Sequence, residues 1–207
     1  MTDPAPNLAP EPGPAQVCAA TGSTVPVREL LGSRPIILVG MMGVGKTTVG
    51  RRLAQRLAIP FRDADEEIER AAGMSVADIF ASYGETSFRD CERKVIARLL
   101  EDGPAVLATG GGAFMNQETR AAILARAVSV WLRADHGTIM RRVRRRNNRP
   151  LLRTPDPDET MRGLLAAREP VYAQANIAVD TCDGPHDRVV ARLMAELAEH
   201  LAGAVAG

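Results

Sequence analysis

Ile36-Ile37-Leu38-Val39 is an uninterrupted apolar run rich in β-branched residues, the pattern of a strand covered on both faces. A glycine-rich turn, Gly40 to Gly45, follows it. Within Lys46–Ala58, Val49, Leu53 and Leu57 then recur at helical spacing. Phe61–Asp63 reads as a short second strand and Asp65–Ala72 as a helix. Ser75 is placed to cap a helix that begins with Val76, Ile79 and Phe80, and Glu85–Glu101 reads as a longer one. Ala105–Ala108 is an apolar strand that runs into Gly110-Gly111-Gly112. Asn116–Arg126 is helical and Val128–Leu132 a strand, and Asp135 opens a helix that enters an arginine-rich stretch. Beyond Pro155 and Pro157 the pattern gives a helix over Asp158–Ala173, a last strand at Ile177–Val179 and a last helix over His186–Leu201. Strands alternating with helices predict an α/β fold of three layers, with helices on both faces of a five-stranded parallel sheet.

Residues 1–34 show neither period and are rich in Pro, Ala, Gly and Thr. They are expected to form a disordered extension, leaving 35–207 as one folded domain. Met1–Gln16 has no basic segment followed by an apolar run, so it does not read as a secretory signal. The 207 residues are 45% hydrophobic with a formal net charge of +1, enough for a sizeable core and too little charge to favour nucleic acid or a membrane surface. Aromatics are 3% of the chain, which argues against base-stacking platforms. Cys18, Cys91 and Cys182 are far apart with no CxxC, fitting neither a disulfide framework nor a zinc site and pointing to a reducing, cytoplasmic setting. His136, His186 and His200 are isolated, and Trp131 sits in a strand where packing explains it.

The turn after the first strand is the chain's most specific chemical signal. Gly40-Met41-Met42-Gly43-Val44-Gly45-Lys46-Thr47 matches G-x-x-x-x-G-K-[ST] in full, with a buried strand before it and an amphipathic helix after it. Glycines let the backbone amides of Gly43, Val44, Gly45, Lys46, Thr47 and Thr48 turn inward as an anion nest, and the helix N-terminus adds its partial positive charge. Lys46 supplies a point charge to the β- and γ-phosphates of ATP, and the Thr47 hydroxyl ligates Mg²⁺. This is a P-loop NTPase fold, but the motif alone names no acceptor.

No N-K-x-D segment of the GTPase kind is present. The strand Ala105–Ala108 ends in Thr109 and glycines rather than in a Walker B aspartate, so metal support has to come from elsewhere. Asp63 and Asp65 close the second strand, at the carboxyl edge where open α/β sheets bind ligands. One could support Mg²⁺ through water and the other accept a hydroxyl proton; equally, Asp65 could serve only as a helix cap. Arg141, Arg142, Arg144, Arg145, Arg146, Arg149 and Arg153 crowd one interval. They suit a lid over about 141–156 that excludes water from the phosphates. A nucleic-acid patch or a solvated basic helix face are the competing readings.

Gly40–Gly50, Asp63-Ala64-Asp65, Phe88-Arg89, Gly110-Gly111-Gly112-Ala113, Arg149-Pro150-Leu151-Leu152 and Arg168-Glu169-Pro170-x-Tyr172 together resemble shikimate kinase, in that family's order, over roughly 35–201. The resemblance implies a fold of the nucleoside-monophosphate-kinase type, ATP and Mg²⁺, and phosphorylation of the shikimate 3-hydroxyl on the way to chorismate and the aromatic amino acids, with ADP as the other product. It also implies a cytoplasmic monomer with no nucleic-acid or membrane partner. By the same resemblance Asp65 binds the shikimate hydroxyls and acts as base, and Asp63 lies near the magnesium water shell. Arg89 and Arg168 hold the substrate carboxylate, Gly110–Gly112 offer main chain to it, and Arg149 reaches the ATP phosphates. Arginine suits a carboxylate because its planar fork gives paired hydrogen bonds that lysine cannot. Without the resemblance, Arg89 could equally be a surface pair with Glu85 or Glu92.

One departure stands out. The family often carries an arginine beside adenine just after the last strand, whereas this chain has Asp180-Thr181-Cys182-Asp183-Gly184-Pro185; Arg142 could take that place. Two other functions fit part of the pattern: another small-metabolite kinase such as a gluconate kinase, and a nucleotide-gated module that turns its arginines on nucleic acid.

Overall fold

A computed structural model describes residues 27–144, 154–181 and 184–206. Among them, five strands form one parallel sheet in the order β2-β3-β1-β4-β5, with β1 at Ile36–Val39, β2 at Phe61–Asp63, β3 at Val106–Ala108, β4 at Val128–Arg133 and β5 at Ile177–Asp180. β1 lies centrally, with Leu38 level with Ala108 of β3 and Val130 of β4. Its four residues alternate between the two sides. Ile36 and Leu38 join one apolar core with α2 (Lys46–Leu57), α6 (His136–Arg144) and α8 (His186–Ala206). Ile37 and Val39 join the other with α3 (Ala64–Ala72), α4 (Val76–Leu99) and α5 (Gln117–Arg126). That two-sided burial is why no polar residue interrupts the strand. Trp131 is 8% exposed and packs in the second core against Tyr172, ring centres 6.1 Å apart.

α4 is two helices in one. At Gly84 the backbone takes φ 75° and ψ 177°, a combination open essentially only to glycine. The Ser75-capped turns and the stretch from Glu85 therefore remain separate units, as the sequence pattern has them. The Ser75 hydroxyl accepts from Asp78 N at 3.1 Å.

The domain begins earlier than residue 35. α1, Val27–Leu31, falls inside the stretch expected to be disordered, yet Val27 and Leu31 are buried in the first core against α8. Arg28 Nη1 also donates to Ala58 O at 2.5 Å and Leu57 O at 3.3 Å. It thereby serves carbonyls left over where α2 ends on Ala58, whose φ is 51°. Residues 1–26 lie outside the described residues. No helix among the described residues is long and apolar enough to cross a membrane.

Candidate active site

The turn between β1 and α2 has the form the motif demands. Gly43 and Gly45 take φ 83° and 96°, in the left-handed region. At Gly43 a Cβ would also fall 2.8 Å from Val143 Cγ2 of α6, so glycine is required there twice over. α2 has no acidic residue in its first turn, leaving its positive end unopposed for an anion. Lys46 Nζ folds back over the loop, donating to Gly40 O at 2.8 Å and Met41 O at 3.0 Å.

β2 delivers the two aspartates to the same place. The strand runs through Asp63 and the helix starts at Ala64, so Asp63, not Asp65, is the N-cap. Asp63 Oδ1 accepts from Asp65 N at 3.1 Å, and its Oδ2 accepts from Thr47 Oγ1 at 2.9 Å. Asp65 stands in the first turn of α3 instead of beside Asp63 on an extended segment, so the capping alternative passes to its neighbour. Among the described residues no group of three or more His, Cys, Asp or Glu is arranged to hold a metal. The Thr47–Asp63 pair offers two hard oxygens at the phosphate nest, which suits a Mg²⁺ ion that keeps most of its ligands as water and phosphate.

A cleft of about 620 Å³ opens over this arrangement. Lys46, Thr47, Thr48, Asp63, Asp65 and Gly110–Gly111 line it on one side, and Arg141, Arg142, Gly184 and His186 on the other. Arg142 bridges its walls, with Nη1 3.5 Å from Val44 O and 3.3 Å from Thr181 Oγ1. The loop after β5 is thus tied to the nucleotide side by Arg142, although Cys182 and Asp183 are outside the described residues. So are Arg149 and most of the stretch expected to form a lid.

Gly110–Gly112 is the meeting point of the remaining groups. A Cβ on Gly110 would lie 2.8 Å from Glu92 Oε1 and 3.4 Å from Asp65 Oδ1. On Gly111 it would lie 3.4 Å from Arg168 Nη1 and 3.6 Å from Gly40 O, and on Gly112 2.7 Å from both Arg89 Nη1 and Nη2. Asp65, Arg89 and Arg168, from α3, α4 and α7 (Pro157–Tyr172), therefore converge on one three-residue turn, and that turn abuts the start of the P-loop. Arg89 and Arg168 do not line the cleft itself; they reach the glycines at its end.

Glu92, spaced to brace Arg89 from one helix face, and Tyr172, the last residue of the Arg168-Glu169-Pro170-x-Tyr172 segment, both reach this turn. Glu92 is 3% exposed. Its Oε2 accepts from Arg89 Nη1 at 2.8 Å, while Oε1 is buried without a hydrogen-bond partner. Burial pushes its carboxyl above the usual glutamate range; Arg89 opposes the shift and Asp65 adds to it. Arg89 Nη2 also donates to Glu85 Oε1 at 3.1 Å. Both helix pairs exist, and the guanidinium still reaches the glycine turn. Burial works against the Arg89 charge, but its bonds to Glu92 and Glu85 outweigh that and raise its pKa. Tyr172, fully buried, donates its hydroxyl to Gly111 O, the carbonyl that Arg168 Nη1 also reaches at 3.2 Å.

The family model described as shikimate kinase matches residues 42–198, more than half of the chain. A shikimate kinase of Bradyrhizobium diazoefficiens is 61% identical over 173 residues, covering 84% of each chain, and one of Brucella canis is 53% identical over 178 residues, covering 86% of this chain and 89% of its own. Among solved structures, shikimate kinase from Acinetobacter baumannii in complex with shikimate superposes with a TM-score of 0.77 at 37% identity, over 82% of this chain and 95% of its own. A gluconokinase from Sinorhizobium meliloti, at 18% identity and a TM-score of 0.55 over 84% of this chain and 96% of its own, shares the fold alone.

Proposed function

The chain belongs to the shikimate kinase family, and on that premise we propose how its residues divide the transfer of the ATP γ-phosphate to the shikimate 3-hydroxyl. The observation that carries the division is the convergence of Asp65, Arg89 and Arg168 on Gly110–Gly112, hard against the P-loop.

The inward amides of Gly43–Thr48 and the end of α2 hold the polyphosphate. Lys46 exchanges its two carbonyl partners for phosphate oxygens, so its charge sits where negative charge accumulates during transfer. Thr47 and Asp63 would hold Mg²⁺, Asp63 through water; when bound, the ion would supply charge that neutralises the polyphosphate. Arg89 and Arg168 grip the acceptor's carboxylate from two helices, which holds the acceptor at the glycine turn. Asp65 accepts the hydroxyl proton as the oxygen attacks. The chain is proposed to work as a monomer.

The assay that tests this reading is ADP release in the presence of shikimate, with gluconate as the alternative acceptor. Turnover on shikimate and none on gluconate is expected, and the reverse result would sink the assignment. Arg168→Lys keeps the charge but loses the fork, so the shikimate KM should rise by about tenfold or more, the loss of roughly one charge-assisted hydrogen bond. The ATP KM should hold. Gly112→Ala should act on the other guanidinium. Gly112 has φ −95°, which alanine adopts freely, and the atoms in the way belong to the flexible end of Arg89. Thermal stability should therefore stay near the parent's, while shikimate affinity falls as Arg89 swings out; an unchanged KM would show that Arg89 does not touch the acceptor.

A further inference from the structure

On the side of α3 away from the substrates lies a second buried carboxylate that the reaction does not use. Glu67 is 6% exposed and is surrounded by three arginines from three elements. Its Oε1 accepts from Arg70 of α3 and, at 3.4 Å, from Arg62 Nη1 of β2. Its Oε2 accepts at 3.2 Å from Arg98 Nη2, near the end of α4. Arg62 Nε is buried with no hydrogen-bond partner, so that guanidinium depends on Glu67, and on Asp102 at 3.9 Å, to offset its lost hydration.

We infer that Glu67 is a positioning residue for the acceptor half of the site, cross-linking the helix that carries Asp65 to the helix that carries Arg89. Glu67 lies two positions after Asp65 on α3. After the break at Gly84, Arg89 and Arg98 share one uninterrupted helical stretch, so fixing Arg98 fixes where Arg89 stands. Burial alone would raise the pKa of the Glu67 carboxyl, but Arg70 and Arg62 outweigh it and lower it. Without that charge the three guanidiniums repel one another across the α3–α4 seam; what still joins the helices includes the apolar packing of Ala64 and Ile68 and the bond from Val76 N to Glu69 Oε1 at 2.9 Å, which holds α3 to the part of α4 before Gly84. Acceptor geometry is sensitive to displacements of this kind, because about 1 Å of misplacement can cost up to ~10²-fold in rate.

The inference rests on the shikimate kinase reading, which the parent chain's own turnover on shikimate tests separately. Glu67→Gln should raise the shikimate KM by about tenfold while the ATP KM stays near the parent's. Arg98→Gln should raise it less, because Glu67 keeps Arg62 and Arg70, and the double variant should be no worse than Glu67→Gln alone. If Glu67→Gln does not fold, Arg98→Gln carries the test, since Arg98 is half exposed. Amide exchange over 64–72 and 85–99 reads the cross-link without substrate, and protection there should fall in both variants relative to α2. A shikimate KM equal to the parent's, parallel changes in both KM values, or unchanged protection in those two segments overturns the inference.

Discussion

Replacing Asp65 by asparagine is expected to lower kcat by about 10²–10⁴-fold, the usual contribution of a positioned general base, with ATP affinity and thermal midpoint close to the parent's. Asparagine has the same shape and still accepts a hydrogen bond from a shikimate hydroxyl, so binding survives better than turnover. What it lacks is the capacity to take a proton. The α3 cap is not at risk, because Asp63 and not Asp65 supplies it. Steady-state kinetics at saturating shikimate check this. A variant with parental kcat would remove Asp65 from the chemistry, and a variant that bound shikimate far more weakly at parental kcat would leave it a binding group only.

Lys46→Met should be comparably damaging through a different term. Methionine retains much of the side chain's apolar bulk and removes only the charge, so α2 should pack as before. Losing one charge aimed at the transferring phosphoryl should cost about 10²–10³-fold in kcat. Lys46 also bonds Gly40 O and Met41 O in the structure, so some loosening of the loop is expected as weaker ATP binding. The decisive reading is kcat at saturating ATP; a loss confined to the ATP KM would make Lys46 a tether and nothing more.

β1 and β3 were legible because each is a short apolar run bounded by glycine, proline or charge. β1 is the clearest case, since burial on both faces leaves no room for a polar residue. The P-loop was legible as chemistry because its residue types are demanded at fixed offsets. α1 was not legible: five residues are too few to display a period, and its burial depends on α8, some 160 positions downstream. Asp63 and Asp65 were recognised as a pair but not apportioned, since which one caps α3 turns on where β2 stops. Glu92 was legible as a helix partner of Arg89, and Tyr172 as part of the Arg168–Tyr172 segment, but their contacts with the glycine turn arise only when α4 and α7 are brought onto it. The gluconate kinase alternative was harder to separate, as that fold is shared and only the guanidinium set distinguishes the acceptor.

Asp63 faces two ways at once, one oxygen on Thr47 and the other on the amide of Asp65. Donor and acceptor compartments are therefore joined by a single side chain. On the proposed roles, a cation arriving with ATP would compete for the first oxygen, and the pull would reach the second, at the amide of Asp65. Loading the phosphate donor would then bear on the attitude of Asp65 before the acceptor is in place.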